Sequence, residues 1–203
     1  MKIFKTLLVA LIVFGATNVH AQKIKVKKGN LDFLKGQTAI AIEYDYSEMS
    51  VGKFDKEEEY VAEKVSEYND AEPGKGDKWK ENWINDREQR FEPKFEELLT
   101  AYTEKADCDF GQNVDAQYTL ILKTTFTEPG FNIGIVRKDA MINVEVKFVE
   151  TENPENVMAV MTMENVPGRG AMGNDYDTGF RISEAYAKAG KELGNYLWKK
   201  GFK

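Results

Sequence analysis

Apolar and polar residues alternate most cleanly in the second half of the chain. In "YTLILKTTF", residues 118–126, the residues Tyr118, Leu120, Leu122 and Phe126 fall on one side, the period-two spacing of a half-buried strand. "AMINVEVKFVE" (140–150) repeats the pattern, with Ile142, Val144, Val146 and Phe148 opposite Asn143, Glu145 and Lys147. "VMAVMTME" (157–164) predicts a third strand, and "TAIAIEYDY" predicts another over 39–46. "PGFNIG" (129–134) reads as a turn, and "ENPEN" (152–156) as a hairpin turn.

Helical spacing takes over elsewhere. "KEEEYVAEKVSEY" (56–68) places Tyr60, Val61, Val65 and Tyr68 on one face, with carboxylates in its first turn, where they suit the helix dipole. "NDAEPGKGD" (69–77) predicts a loop. In the segment that follows, Trp79, Trp83, Arg87 and Phe91 form an i, i+4 row. Pro93 is expected to end or kink that helix, and a second one would then use Phe95, Leu98, Leu99 and Tyr102. The last helix starts near Gly179, capped by Asp177 or Thr178, and puts Ile182, Ala185, Tyr186, Ala189, Leu193 and Leu197 on one face. Its small residues Ala185, Ala189, Gly190 and Gly194 predict close packing on the sheet. The expected fold class is α+β: a two-layer sandwich with a mainly antiparallel sheet of about four strands and helices packed on one face.

The N-terminus changes the picture of where the chain acts. Lys2 and Lys5 precede an apolar run from Leu7 to Phe14, which relaxes to "VHA". This reads as a signal peptide over 1–21, cleaved between Ala21 and Gln22. The remainder, 22–203, is expected to be one domain with a polar lead-in over 22–38. The run is too short to span a bilayer, and no cysteine near the cleavage site indicates a lipid anchor. A periplasmic or secreted protein without membrane insertion after cleavage is expected.

Cleavage removes Lys2 and Lys5, so 28 basic residues become 26 against 34 acidic, and the net charge goes from -6 to -8. It also removes His20, the only histidine. A mature chain without histidine cannot build a His-based triad or a His-ligated zinc site. Its acidity argues against nucleic acid as a partner. Cys108 stands alone between Asp107 and Asp109, whose charges oppose a thiolate, so it reads as a packing residue. Neither metal nor organic cofactor is expected.

Five residues form the candidate binding surface: Trp79, Trp83, Arg87, Asp175 and Asp177. The tryptophans could stack on sugar rings or peptide, or bury against the core, with Arg87 stacked on Trp83. "NDYDTG" (174–179) offers oxygen ligands at alternate positions, as in part of a calcium loop, but lacks the closing glutamate. We read it as a turn capping the last helix. "GRGAMG" (168–173) has dinucleotide-loop spacing, yet no strand follows the next helix, so we read it as a connector. Glu43, Asp45 and Glu48 cluster at a strand end, and paired carboxylates can hydrolyse glycosides if their separation is right. Met158, Met161 and Met163 could make an adaptable surface, although 161 and 163 share a face and read more simply as core.

"VDAQYTLILKTTF", "DAMINVEVKFVETENPENVMAVM" and the closing "SEAYAKAGKELGNYL" resemble in their order the small domain of bacterial envelope assembly proteins. These include the N-terminal domain of the propeller protein TolB and the periplasmic domain of the curli secretion lipoprotein CsgG. In that group the strand beginning at Tyr118 is entered through a step that Asp115, Ala116 and Gln117 occupy here. The Trp79–Phe95 segment and the missing anchor cysteine depart from the group. The resemblance implies a non-enzymatic periplasmic module whose partner is another envelope protein, and it carries over no catalytic residue. The alternatives are a secreted carboxylate-based glycan hydrolase, using a pair among Glu43, Asp45 and Asp175, or a small-ligand binding protein using the tryptophan face.

Overall fold

The computed structural model describes residues 24–169 and 176–203. The segment expected to be a signal peptide, residues 170–173 of the glycine-rich stretch, and Asp175 lie outside the described residues. Among those described, no helix is long and apolar enough to cross a membrane.

The protein combines helices with one large sheet. Its strands are β1 (Lys25–Gly29), β2 (Ala39–Asp45), β3 (Ser50–Val51), β4 (Asp109–Gly111), β5 (Tyr118–Glu128), β8 (Ala140–Glu150) and β9 (Val157–Gly168). A separate two-stranded ribbon pairs β6 (Phe131–Asn132) with β7 (Arg137–Lys138). The large sheet runs β1-β9-β8-β5-β2-β4, with β3 also on β5. The four strands expected from alternation are present and adjacent. The expectation of about four strands in a mainly antiparallel sheet is corrected to seven, partly parallel. β2 pairs in parallel with both β5 and β4, and β3 pairs in parallel with β5. The cause is the helical segment between β2 and β5, a crossover long enough to return the chain in the same direction. β1, β3 and β4 have too few residues to show alternation.

The lead-in contains a strand. β1 pairs antiparallel with the edge of β9, and its lysines suit an exposed edge, where like charges discourage a further strand. Lys25 pairs with Glu164 across that ladder. The turn that follows buries Leu31 and Leu34.

One sheet face is fully buried: Ile40, Ile42, Leu120, Leu122, Ile142, Val146, Phe148, Met161 and Met163 are all closed to solvent or nearly so. The other face, with Ile121, Lys123, Glu145, Lys147 and Thr162, is half-exposed. Phe126 departs from the expected alternation. A bulge between Thr124 and Phe126 inserts Thr125, so Phe126 pairs with Asn143 on the half-exposed side and Thr127 takes the inward position opposite Ile142. An extra residue of this kind reverses the facing of everything beyond it. β9 bulges at the same level, where the Asn165 amide donates to Asn143 Oδ1 at 2.6 Å.

The helices are α1 (Glu57–Ala71), α2 (Lys75–Asp86), α3 (Glu92–Thr103) and α4 (Thr178–Leu197). The predicted 69–77 loop shrinks to residues 72–74, because α1 and α2 form a tight helical hairpin. Gly76 sits where they cross: a Cβ there would lie 2.2 Å from the Val65 carbonyl oxygen. A five-residue π turn, Arg87–Phe91, joins α2 to α3. The amide of Glu92 reaches back to the Arg87 carbonyl, so Pro93 enters a widened turn instead of ending the helix. α4 packs on β8, β9 and α3. Ala185 and Ala189 are buried in that packing, but Gly190 and Gly194 face α3 and not the sheet. A Cβ at Gly190 would lie 2.2 Å from the Phe95 carbonyl oxygen.

Candidate functional site

Of the sequence-predicted surface residues, Trp79, Trp83 and Asp177 line one cleft, and Arg87 lies apart from it. Glu57, in the first turn of α1, accepts from Trp83 Nε1 at 2.6 Å, and its two oxygens each accept from Arg87 Nη2 at 2.5 Å. Arg87 therefore does not stack on Trp83. Its guanidinium lies over the Tyr46 ring, 4.4 Å from the centroid, because a carboxylate shared by both side chains draws it toward the end of β2. Trp79 stacks on Trp83 at 5.6 Å and meets Tyr60 and Tyr68 at 5.8 and 5.7 Å. Trp83 is buried. The two tryptophans pack on the α1 tyrosines, so this aromatic pad joins α1 to α2, with Trp79 only partly buried.

Asp177 caps α4 as expected, accepting from the Phe180 amide at 2.8 Å. The same carboxylate oxygen accepts from Arg90 Nη1 at 2.8 Å, while Arg90 Nε reaches Asp86 at 3.0 Å. These residues with Tyr68 and Trp79 line a cleft of about 330 Å³, its wall mostly polar. Burial pushes the Asp86 carboxyl up, Arg90 opposes this, and the Asp177 charge adds to it.

Among the described residues, the most buried carboxylate is one the sequence reading missed. Glu92, beside Pro93, is 5% exposed. Its oxygens accept from Tyr46 Oη at 3.3 Å and Gln112 Nε2 at 3.0 Å. Tyr44 Oη donates to Glu96 at 3.0 Å, and Thr124 and Tyr186 share a 2.6 Å hydrogen bond. Burial pushes the Glu92 carboxyl up, and Gln112 and Tyr46 pull it partly back. Burial likewise raises the hydroxyls of Tyr44, Tyr46 and Tyr186, so they act as neutral hydrogen-bonding groups. The signal that could have found Glu92 is the π turn, which turns Phe91 and Glu92 inward in succession; sequence periodicity carries no mark of it.

The acidic strand end brings Asp45 and Glu48 onto one cation, Lys123, and leaves Glu43 apart. Asp45 accepts from the Ser47 amide at 2.8 Å and its hydroxyl at 2.6 Å, and faces Lys123 at 3.8 Å. Glu48 also pairs with Lys123, and Glu43 is exposed. Burial opposes ionisation of Asp45, but Ser47 and Lys123 hold its carboxyl below the ordinary range, unlike the raised acid a glycosidase requires. Cys108 is buried, and burial with the Asp109 charge pushes its thiol up to about 11.

Among the described residues, four of the exposed large apolar side chains gather at the β6–β7 ribbon, where the sequence predicted only a turn. Phe131 is 42%, Ile133 69%, Ile135 96% and Val136 51% exposed. At the tip, the Ile133 amide donates to the Val136 carbonyl at 3.1 Å, and the Gly134 amide to Asn132 Oδ1 at 2.9 Å. Its base is fixed by Arg181 of α4. Buried at the helix start, Arg181 donates to the Pro129 and Gly130 carbonyls, both at 3.2 Å. Lys138 closes on Glu128 at 2.5 Å. Two short paired strands and their turn thus present four apolar side chains to solvent. An apolar run between Pro129 and Arg137 was the available sequence signal.

No family model matches the sequence, and no curated protein does. Among solved structures, protein XCC0632 from Xanthomonas campestris, described as DUF330, aligns with a TM-score of 0.33 at 12% identity. The alignment covers 49% of this chain and spans 56% of that one. No role is taken from a likeness of that size.

Proposed function

We propose that the chain is an exported, non-enzymatic binding module of the bacterial envelope, and that the β6–β7 ribbon is the element it docks with. The observation that carries the reading is the set of four exposed apolar side chains on a ribbon clamped at its base by Arg181. Exposed apolar side chains scattered singly are ordinary, whereas a contiguous set marks a contact surface. Clamping lowers the ordering cost of binding. The signal-peptide pattern over 1–21 and the resemblance to envelope assembly domains supply the location and the class of partner, another envelope protein.

The test places a photoreactive amino acid at Ile135 of the full chain in living bacterial cells and identifies adducts by mass spectrometry. A reproducible protein adduct, lost when the probe is moved to exposed Glu43, is the expected result. Adducts at Ile135 no more frequent than at Glu43 would overturn the proposal.

A further inference from the structure

The cleft between α2 and the start of α4 has a wall of unusual composition. Trp79, Asn82, Trp83, Asp86, Gln89 and Arg90 fall at i, i+3, i+4, i+7, i+10 and i+11, so a single stripe of α2 and the π turn lines it. Tyr68 of α1 and Asp177, Thr178 and Gly179 at the start of α4 complete the lining. A helix stripe turned toward another element is ordinarily apolar, because burial of that stripe holds the elements together. Here four of the six side chains are polar, and about 330 Å³ remains open between the elements.

The walls are tied to each other. Arg90 bridges Asp86 at 3.0 Å and Asp177 at 2.8 Å, joining the end of α2 to the α4 cap. Gly179 is accommodated beside this bridge because it has no side chain: a Cβ there would collide with the Asp86 carboxylate. Other polar groups of the lining are unengaged. Among the described residues, Trp79 Nε1 and the side-chain amides of Asn82 and Gln89 have no hydrogen-bond partner, whereas Trp83 Nε1 is committed to Glu57.

The chemistry of these groups selects a class of ligand. The two amides both donate and accept, the indole donates, and the carboxylates accept. An anion would meet Asp86 and Asp177 with Arg90 already shared between them, and a cation would meet Arg90 itself. A neutral molecule with several hydroxyls, each a donor and an acceptor, engages the whole set. The rings of Trp79 and Tyr68 add the apolar surface that the C–H face of a sugar ring covers. The volume lies at the small end of the range for small-molecule sites, about 300–1,000 Å³, which suits a short saccharide and not a long polymer segment.

We propose that the cleft between α2 and the start of α4 binds a neutral mono- or disaccharide, with Asn82 and Gln89 as hydrogen-bonding contacts. None of the ribbon residues lines this cleft, so the site is independent of the docking reading.

The experiment is saturation-transfer NMR on the mature chain with maltose, cellobiose, lactose and N,N′-diacetylchitobiose, each titrated to about 20 mM. Glucuronate and glucosamine serve as the charged comparisons. At least one neutral disaccharide should bind saturably, receive saturation on its ring C–H protons and shift the tryptophan emission. Asn82 and Gln89 are exposed, so replacing both with alanine should leave the melting temperature unchanged while weakening that binding about tenfold or more. Ile135→Asp should leave it unaltered.

The inference is overturned if none of the four disaccharides binds saturably, or if only glucuronate or glucosamine does. Saccharide binding indifferent to the Asn82→Ala, Gln89→Ala double variant would also overturn it, since the ligand would then sit elsewhere. Failure of the Ile135 probe to capture a protein in cells bears on the ribbon alone and leaves this result standing.

Discussion

Glu57 provides the sharpest test of what joins the helical hairpin to the body. Its carboxylate accepts from both Trp83 and Arg87, whose side chains come from α2 and the π turn. Replacing it with alanine strands two donors. Leaving a buried donor unsatisfied costs about 1–3 kcal/mol, and Trp83 is buried enough to pay most of that range. Breaking a buried ion pair by removing one partner costs about 3–5 kcal/mol. The Arg87 and Glu57 side chains retain 19% and 13% exposure, so solvent reaches the stranded charge and the low end or less applies. The two losses overlap in one side chain and are not additive, and we expect Glu57→Ala to cost about 3 kcal/mol. For a domain of this size that is a fall in Tm of about 6–12 °C.

Glu57→Gln keeps an acceptor for the indole and should cost about half as much. A double-mutant cycle in urea, with Arg87→Met as the second change, isolates the pair. In the Glu57→Ala background Arg87→Met should cost little, giving a coupling of about 1.5 kcal/mol or more. A coupling under about 0.5 kcal/mol, the usual limit of additivity for independent sites, would refute the argument that this ion pair ties the hairpin down.

Three further outcomes follow from the same structure. Since burial raises the Glu92 carboxyl, the folded chain holds that proton more tightly than the unfolded one. The resulting stability is present below the ordinary carboxylate value and lost as pH rises through the raised one. The stability of the native chain relative to Glu92→Gln should therefore fall as pH rises above the ordinary carboxylate range, measured by urea titration; a flat difference would contradict the burial argument. Cys108, with its thiol near 11, should resist iodoacetamide at pH 8 in the folded state and react on unfolding, followed by mass spectrometry; rapid labelling of the native chain would contradict it. Gly190→Ala forces a methyl against the Phe95 carbonyl oxygen and should cost about 1–3 kcal/mol by thermal melting, although alanine is the better helix former.

The legible parts of the fold were those with long, uninterrupted periodicity. β5, β8, β9 and α4 could be read from side-chain spacing because each buries one face over a long run, in the strands up to the bulges. Phe126 was misplaced because an inserted residue leaves no trace in composition. The short strands β1, β3 and β4 were hidden by their length, and the parallel pairing by its dependence on what lies between strands. In the site, Asp177 was legible as a cap because capping chemistry is local. Glu92 was not, since its burial depends on a π turn and on Gln112, 20 residues away. Arg87 was assigned the wrong ring because Glu57 and Tyr46 are distant in sequence and adjacent only in the fold.

The strand order also has a consequence for how the sheet is completed. β5, β8 and β9 are consecutive neighbours in an antiparallel meander, so their contacts close short loops and can form early. β1, the first described strand, pairs with β9, the last: Lys25 faces Thr162 across that ladder. A ribosome releasing the chain from its N-terminus supplies β1 long before its partner exists. During synthesis the lysines of β1 must remain in water, and the sheet gains this edge only after most of the polypeptide has emerged. Loss of the last strand would leave β1 with no ladder to join, while loss of β1 would only return the edge to β9.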